Sequence, residues 1–278
     1  CDVFIGQSPM HNYSIRRMKN KYHAITILER GTSHVLEYLE NLEGYVKKSQ
    51  REIDRDLDGY NYPDYISVGA DHVKEGFLKY GFSVDRLFVN NYGVNIEKFK
   101  SLPCLNQFDI IQVGQWGFRK GGDIISEACR KKKYRFLHVG SITDLPFPTD
   151  VPSMTHLDAV QESELPKYYQ LAKIFVMPSR EEGLSLVQLQ ALASGLLLVC
   201  SEKSGGADLK YNVLSQSYIQ VMRALTVEEL IKCIDRALEE VKNLDNDRRL
   251  LKNRFDFSWT AYGQRYISFL NSIYNQYK

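Results

Sequence analysis

Residues 174–200 read IFVMPSREEGLSLVQLQALASGLLLVC, and this stretch decides the fold class. Ile174–Met177 is an apolar run of strand length, and the proline after it stops a strand because it has no N–H to donate. A helix is predicted over Ser185–Ser194, and Gly195 suits the left-handed position that ends many helices. Leu196–Cys200 is a second apolar run. Strand, helix and strand in this order predict parallel strands joined by a crossover helix.

The same alternation extends over residues 108–257. Further strands are predicted at Phe108–Val113, Tyr134–Val139 and Met154–Val160. A helix is expected from Gly121-Gly122 to about Lys132, another over Ser163–Leu171, and a third from Thr226, where Glu229 completes a capping box. The pattern predicts a doubly wound domain with ligands at the carboxyl ends of its strands.

Residues 1–100 form a second alternating region. Short strands are predicted at Val3–Gly6, Ala24–Leu28, Tyr65–Val68 and Leu87–Asn90, with helices at Ser8–Tyr22 and Ala70–Tyr80 and a long helix from Val35 past Val46. The proline-containing segment Ser101–Gln107 is the expected domain boundary. Because Cys1 opens directly into a strand, an N-terminal portion is expected to be missing.

The composition is that of a globular protein. Hydrophobic residues make up 44% and charged residues 25%, and the net charge of +2 does not favour nucleic acid as a partner. The basic run Arg130–Arg135 is interpreted as a solvated helix end, with a phosphate or membrane contact as the alternative. No run approaches the roughly 20 apolar residues that span a membrane. The five scattered cysteines are expected to be free thiols in a reducing cytoplasm.

Three polar loops follow predicted strands within residues 108–257. In Gly114–Gly122, glycines allow close backbone approach, and Arg119 and Lys120 ahead of a helix suit a diphosphate. A flexible surface turn with solvated cations is the alternative, and the spacing is not that of a Walker loop. Ser204–Asp208 is either a plain turn or a wall of the same cleft.

The loop Pro178–Leu186 carries two acids ahead of a helix N-terminus. Glu181 or Glu182 either favours the helix dipole or accepts hydrogen bonds from ligand hydroxyls while backbone N–H groups bind phosphate. Gln190 lies eight residues after Glu182 and is predicted to share a helix face with it.

Taken together, these residues resemble a known family. The segment Glu182–Gly195 resembles the signature of family 4 retaining glycosyltransferases of the GT-B fold. Further resemblance lies in the phosphate loop (Val113–Gly121), the strand Phe136–Gly140, the run Leu165–Ser179, the interdomain segment Asn91–Phe99 and the start of the last helix (Phe257–Trp259).

The resemblance implies an α/β architecture of two Rossmann-like doubly wound domains facing a cleft, with the first domain incomplete. Residues 1–100 would be part of the N-terminal acceptor-binding domain, and residues 101–257 the nucleotide-sugar donor-binding domain. Residues 258–278 would form a C-terminal helix that packs back on the N-terminal domain.

The resemblance also implies roles for individual residues. Glu182 would contact the donor sugar, and Lys120 with Arg119 would neutralise the diphosphate. His34, in the segment after a strand, would be catalytic on the acceptor side, with a surface or helix-capping residue as the alternative. His156 falls near the region expected to contact the base.

The donor-binding set is Gly114, Arg119, Lys120, Glu182, Leu184, Ser185, Leu186 and Gln190, with no metal and no further cofactor. Three residues depart from the family pattern: Gln190 replaces glutamate, Gln115 an arginine and Asn95 an aspartate.

The predicted function is retaining, metal-independent transfer of a hexose-type sugar from a nucleotide-diphosphate sugar to an acceptor hydroxyl, in polysaccharide or glycoconjugate biosynthesis. A UDP-sugar is favoured over a GDP-sugar, and the acceptor would be a glycan or glycolipid. A cytoplasmic location is expected, with peripheral contact at the inner face of a membrane left open. The alternatives are a catalytically weak nucleotide-binding or assembly subunit, and a nucleotide-sugar epimerase of the same fold.

Overall fold

A computed structural model of the protein describes residues 2–244, 248 and 250–277, which form two α/β units. The first unit comprises Cys1–Asn91 and Glu181–Leu184, and the second comprises Tyr92–Arg180 and Ser185–Lys278. Residues 101–107, the expected boundary, contain no helix or strand and belong to the second unit. Cys1 and Lys278 themselves lie outside the described residues.

The first unit contains a parallel sheet whose strand order, β1-β2-β3-β4, follows the sequence. Its interior is formed by apolar residues of the central strands, such as Ile27, Leu28 and Ile66, all of them fully buried. Along the chain the elements are β1 (Val3–Gln7), α1 (Asn12–Tyr22), β2 (Ile25–Arg30), α2 (Val35–Asn41), α3 (Gln50–Asn61), β3 (Tyr65–Val68), α4 (Asp71–Lys79) and β4 (Leu87–Val89).

The prediction of one long helix from Val35 past Val46 is wrong. Helix α2 ends at Asn41, and Gly44 follows with φ of +82°, a conformation that glycine adopts without steric cost. A separate helix, α3, then begins after Ser49, whose hydroxyl accepts from the Glu52 N–H while the Glu52 carboxylate accepts from the Ser49 N–H. This capping box fixes the second helix start.

The second unit contains a six-stranded parallel sheet and five α-helices among the described residues. The bounds are close to the predicted ones, except that β10 was not predicted. The elements are β5 (Phe108–Val113), α5 (Gly122–Lys132), β6 (Phe136–Val139), β7 (Met154–Leu157), α6 (Leu165–Tyr169), β8 (Ala172–Met177), α7 (Leu186–Ala193), β9 (Leu197–Ser201), β10 (Ile219–Met222), α8 (Val227–Lys242) and α9 (Trp259–Tyr277).

The strand order of this sheet is β10-β9-β8-β5-β6-β7. The chain therefore builds outward from β5 to β7, returns to β8 beside β5, and builds to β10 on the other side. Strands β5 and β8 pair directly, with Ile110 opposite Ile174. In such doubly wound sheets the ligand crevice lies at the carboxyl ends of the two strands where the order reverses.

Buried apolar residues explain the position of the central strands and of α8. Residues 174–177 of β8 and 197–201 of β9 are buried throughout, as expected for strands covered on both faces. Helix α8 buries Leu230, Cys233, Ile234 and Ala237 along one face. Thr226 caps this helix by accepting from the Glu229 N–H, but the Glu229 carboxylate pairs with Lys232, so the reciprocal half of the predicted capping box is replaced.

The basic run lies at the C-terminal end of α5, as predicted. Arg130 pairs with Asp150, Lys131 with Glu228 at 2.7 Å and Lys132 with Asp235 at 2.8 Å. These exposed pairs balance the local charge.

The four described cysteines, residues 104, 129, 200 and 233, are free thiols. None of the described helices has the length and apolar character needed to cross a membrane.

Candidate functional site

Two loops of the second unit meet at the carboxyl ends of β5 and β8. The Arg180 N–H, after β8, donates to the Arg119 carbonyl, after β5, at 2.8 Å. A Cβ atom at Gly121 would lie 2.4 Å from the Pro178 carbonyl oxygen, and Gly121 has φ of +74°. Glycine is therefore required at position 121, where the first loop enters α5.

The loop after β5 is a hydrogen-bonded turn. The N–H groups of Lys120 and Gly122 both donate to the Gly117 carbonyl, at 3.2 and 3.1 Å. The Phe118 N–H donates to the Asp144 carboxylate at 3.1 Å, and a Cβ at Gly117 would lie 2.1 Å from the same carboxylate oxygen. These contacts favour a preformed loop over a flexible surface turn.

The two predicted phosphate-binding cations lie at the end of this turn, directly ahead of α5. Lys120 is 8% exposed, and Arg119 is half-buried. The Lys120 carbonyl accepts from the Gln112 side chain at 3.3 Å, which fixes the backbone of the loop to β5. Cations beside a helix N-terminus are a combination that suits a diphosphate.

Arg180 connects the two loops and was not predicted from the sequence. It donates to both carboxylate oxygens of Asp123, at 2.8 and 2.7 Å, and to the Phe118 carbonyl at 2.7 Å. Its guanidinium also stacks 3.5 Å above the centre of the Phe118 ring. Because its charge is paired with Asp123, Arg180 positions the loop that carries Arg119 and Lys120.

Helix α7 begins at Leu186 after β8, and no side chain caps its N-terminus. Ser185 is the residue before the helix, and the first N–H groups of any α-helix have no intrahelical acceptor. Backbone donors are therefore available at the position predicted to bind phosphate. The prediction that Glu182 and Gln190 share a helix face is wrong, because Glu182 precedes the helix and residues 182–185 are not helical.

The two glutamines of α7 have different surroundings. Gln190 is 7% exposed, and its side-chain oxygen accepts from the Tyr169 hydroxyl at 3.2 Å. Gln188 donates to the Ser204 hydroxyl at 3.1 Å, and a Cβ at Gly206 would lie 2.8 Å from its nitrogen. Gln188 therefore fixes the third predicted loop against α7, a role that the sequence did not reveal.

The segment Glu181–Leu184 packs within the first unit. Glu181 is fully buried, and its carboxylate accepts from the Ser33 N–H at 3.1 Å. The Glu182 carbonyl lies 2.8 Å from His72 Nε2, and a Cβ at Gly183 would lie 2.1 Å from the Gly31 carbonyl oxygen. Glu181 thus anchors the segment through its buried carboxylate, whereas Glu182 is only half-buried.

His34 is the buried N-cap of α2. Its Nδ1 accepts from the Leu36 N–H at 3.3 Å, and its ring stacks on Tyr80 with centroids 4.3 Å apart. Burial, and secondarily the charge of Arg30, lowers the pKa of His34 to about 4. This geometry supports the helix-capping alternative, and a catalytic role for His34 stays a prediction.

A histidine pair lies beside the glycine loop in the second unit. His138 Nε2 is 2.9 Å from the Gly114 carbonyl oxygen, and its Nδ1 is 2.9 Å from His156 Nδ1. Burial lowers the pKa of His138 to about 4. With a neutral His138 whose Nε2–H donates to Gly114, Nδ1 accepts from His156. In residues 2–244, 248 and 250–277, no three histidine, cysteine or acidic side chains are grouped as a metal site.

Because His34 and His138 are buried in the neutral form, we expect the protein to lose stability in mild acid. The pKa values of His34 and His138, about 4, lie below the ordinary value of 6.5, so the unfolded chain binds more protons between these limits. The free energy of unfolding should be unaffected by them above pH 6.5 and fall by about 1.4 kcal/mol per pH unit for each histidine as pH decreases towards 4.

Urea unfolding of the native protein and of His138→Gln at pH 7.5 and pH 5 measures this effect. The glutamine amide retains a donor for the Gly114 carbonyl but does not titrate. Between pH 7.5 and pH 5, the free energy of unfolding should fall less in the variant than in the native protein. The difference should equal about the contribution of one histidine. Equal losses in the two proteins would show that His138 is not held neutral.

Comparisons with known proteins find both related sequences and related folds. Residues 107–240 match the family model described as "Glycosyl transferases group 1". Glycogen synthase from Thermosipho melanesiensis is 25% identical over 257 residues, which cover 84% of this chain and 52% of that protein. The chain thus spans about half the length of the curated relatives it matches.

Solved structures share the fold over nearly the whole chain. Sucrose-phosphate synthase from Thermosynechococcus elongatus has a TM-score of 0.77 at 17% identity, covering 99% of this chain and 74% of that one. HepE of Anabaena in complex with UDP-glucose has a TM-score of 0.74 at 14% identity, covering 98% and 79%. The fold is GT-B, and the matches together support a glycosyltransferase.

Proposed function

We propose that this chain contains the donor-binding domain and part of the acceptor-binding domain of a retaining, metal-independent glycosyltransferase. It would transfer a hexose-type sugar from a nucleotide-diphosphate sugar to a hydroxyl of a glycan or glycolipid, in the synthesis of a polysaccharide or glycoconjugate. A UDP-sugar is the proposed donor, supported by the neighbour structures that contain UDP or UDP-glucose.

One observation carries the proposal. At the reversal of strand order in the second unit, a preformed glycine loop with two cations lies against the loop that leads towards the uncapped N-terminus of α7. Such a combination suits an anion with two phosphate groups, because cationic side chains and helix-terminal backbone N–H groups both bind phosphate oxygens.

The reaction needs stabilisation of the charge on the leaving nucleoside diphosphate. As the bond between the anomeric carbon and the diphosphate oxygen breaks, negative charge accumulates on the diphosphate. Lys120 and Arg119, with the Leu184–Leu186 backbone, are proposed to stabilise it. Because Lys120 is nearly buried, its charge acts with little screening by water.

The remaining contacts are assigned to the sugar and the ribose. Glu182 is proposed to accept hydrogen bonds from donor-sugar hydroxyls, since the buried Glu181 is already bonded to Ser33. Gln190 is proposed to bind the ribose. Its side-chain oxygen accepts from Tyr169, which leaves the amide N–H groups as the donors for a ribose hydroxyl.

The reaction is proposed to occur in the cytoplasm. The free thiols of the four described cysteines suit a reducing compartment.

The test compares donor binding in the native protein and in Glu182→Ala. The variant should bind UDP-glucose at least about tenfold more weakly, because hydrogen bonds to a charged acceptor are lost, and bind UDP with unchanged affinity. The Glu43→Ala variant, at an exposed residue between α2 and α3, serves as the control. Equal weakening for UDP and UDP-glucose would refute the role of Glu182, and nucleotide binding without transfer to any acceptor would indicate a binding module.

A further inference from the structure

Arg30 is a buried cation in the first unit whose bonds are all to neutral acceptors. It is 7% exposed and ends strand β2. Its Nε and Nη2 donate to the Ser33 carbonyl at 3.2 and 3.1 Å, and its Nη1 donates to the Ser8 hydroxyl at 3.3 Å. A guanidinium has five N–H donors, so one on each terminal nitrogen is left for a ligand.

No carboxylate in the described part of the chain forms an ion pair with Arg30. The acid in this cluster, Glu181, directs its carboxylate to the Ser33 N–H instead. The charge of Arg30 acts on the neighbouring His34, where it adds to the effect of burial in lowering the pKa. Burying a charge without a counter-charge costs several kcal/mol, and an anionic ligand would remove much of that cost.

Arg30 lies at the edge of the first sheet where ligands of parallel α/β sheets usually bind. Ser8 directly follows β1, and Arg30 ends β2, so both lie at the carboxyl edge of the same parallel sheet. Ser8, which contacts the guanidinium, is half-buried, and Gly31, the residue after Arg30, is exposed, so the buried guanidinium has solvent-exposed neighbours.

We propose that Arg30 and Ser8 form a binding subsite for an anionic group, a carboxylate or a phosphate, on the acceptor. The two remaining N–H donors of the guanidinium can engage two oxygens of such a group. The identification of the ligand as the acceptor rests on the proposed glycosyltransferase function, whereas the anion site itself rests on the geometry of the first unit. An acidic glycan and a phosphorylated acceptor share this chemistry.

The test follows the Nε–H resonances of arginine side chains by NMR while inorganic phosphate, glucuronate or glucose is added to the full chain. The resonance of Arg30 is assigned by its loss in Arg30→Lys. It should shift saturably with phosphate, glucuronate or both, and not with neutral glucose. Arg86 is the internal control: its guanidinium also donates to carbonyls, those of Tyr60 and Pro63, but it directly precedes β4 at the opposite edge of the sheet.

The probes distinguish the sources of the anion. A response to glucuronate alone supports a uronic acid in the acceptor, and a response to phosphate alone supports a phosphorylated acceptor. A response to both supports the anion site but does not distinguish the two acceptors. Ser8→Ala should weaken the response about fivefold through loss of one hydrogen bond. No shift with either anion, or equal shifts of Arg30 and Arg86, would overturn the proposal.

The same samples separate this inference from the proposed function. UDP is titrated in parallel. If UDP binds and the Arg30 resonance does not respond to anions, the subsite is wrong and the transferase proposal stands. If Arg30 responds and neither UDP nor GDP binds, the anion site stands and its assignment to an acceptor fails.

Discussion

Lys120→Met is expected to slow sugar transfer by about 10²–10³-fold, the usual effect of removing one preorganised group that stabilises charge in the transition state. Methionine retains most of the length and apolar stem of lysine, so the turn from Gly117 to Gly122 should persist. The lost ammonium was nearly buried, so water replaces it poorly. The loss should appear mainly in kcat, because charge on the diphosphate grows as the anomeric bond breaks.

Lys131→Met is the matched control for this measurement. Lys131 is an exposed lysine at the other end of α5 and pairs with Glu228 at 2.7 Å. Its loss should change kcat less than about twofold, since exposed ion pairs contribute little. A Lys120→Met enzyme within about twofold of the native rate would remove Lys120 from the proposed catalytic group.

Gly140→Ala is expected to destabilise the second unit by more than about 4 kcal/mol, a value reached by few single substitutions. Gly140 directly follows β6 and has φ of +153°, and a Cβ there would lie 1.8 Å from the carbonyl oxygen of Gly114. The obstacle is backbone, so it cannot move as a side chain would. The same carbonyl accepts from His138, so any shift also disturbs the start of the loop Gly114–Gly122.

Urea unfolding measures this loss, with two glycine controls. Gly263 lies in α9 with open space around its Cβ position, and Gly263→Ala should be neutral or stabilising by up to about 1 kcal/mol. Gly81 has φ of +86° but no atom within 4 Å, so Gly81→Ala should cost about 1 kcal/mol through backbone strain alone. A Gly140→Ala protein as stable as Gly81→Ala would contradict the described contact.

Local sequence patterns predicted much of the second unit. The strand, helix and strand of residues 174–200 follow from apolar runs bounded by Pro178 and Gly195, and the start of α5 follows from the Gly121-Gly122 pair. The four-residue edge strand β10, Ile219–Met222, was not predicted. In the first unit, α3 was missed although its capping box, Ser49 and Glu52, is visible in the sequence.

The glycines and cations of the candidate site could be recognised in the sequence, whereas its supporting contacts could not. Glycines and cations after β5 indicate a phosphate loop from composition alone. Arg180 and Asp123 are 57 residues apart, and Glu181 and Ser33 are 148 apart. No local pattern connects such pairs, so the sequence could not distinguish the anchoring role of Glu181 from the proposed ligand role of Glu182. The buried, unpaired charge of Arg30 is likewise a property of the folded sheet edge.

The most direct test of the donor site is isothermal titration of UDP and of GDP into the native protein and Lys120→Ala, with circular dichroism to verify that each is folded. We predict micromolar binding of UDP, weaker binding of GDP, and loss of at least about tenfold in UDP affinity in Lys120→Ala. Failure of the folded native protein, carrying any N-terminal region it naturally has, to bind either nucleotide would contradict a nucleotide-sugar site at the reversal of strand order.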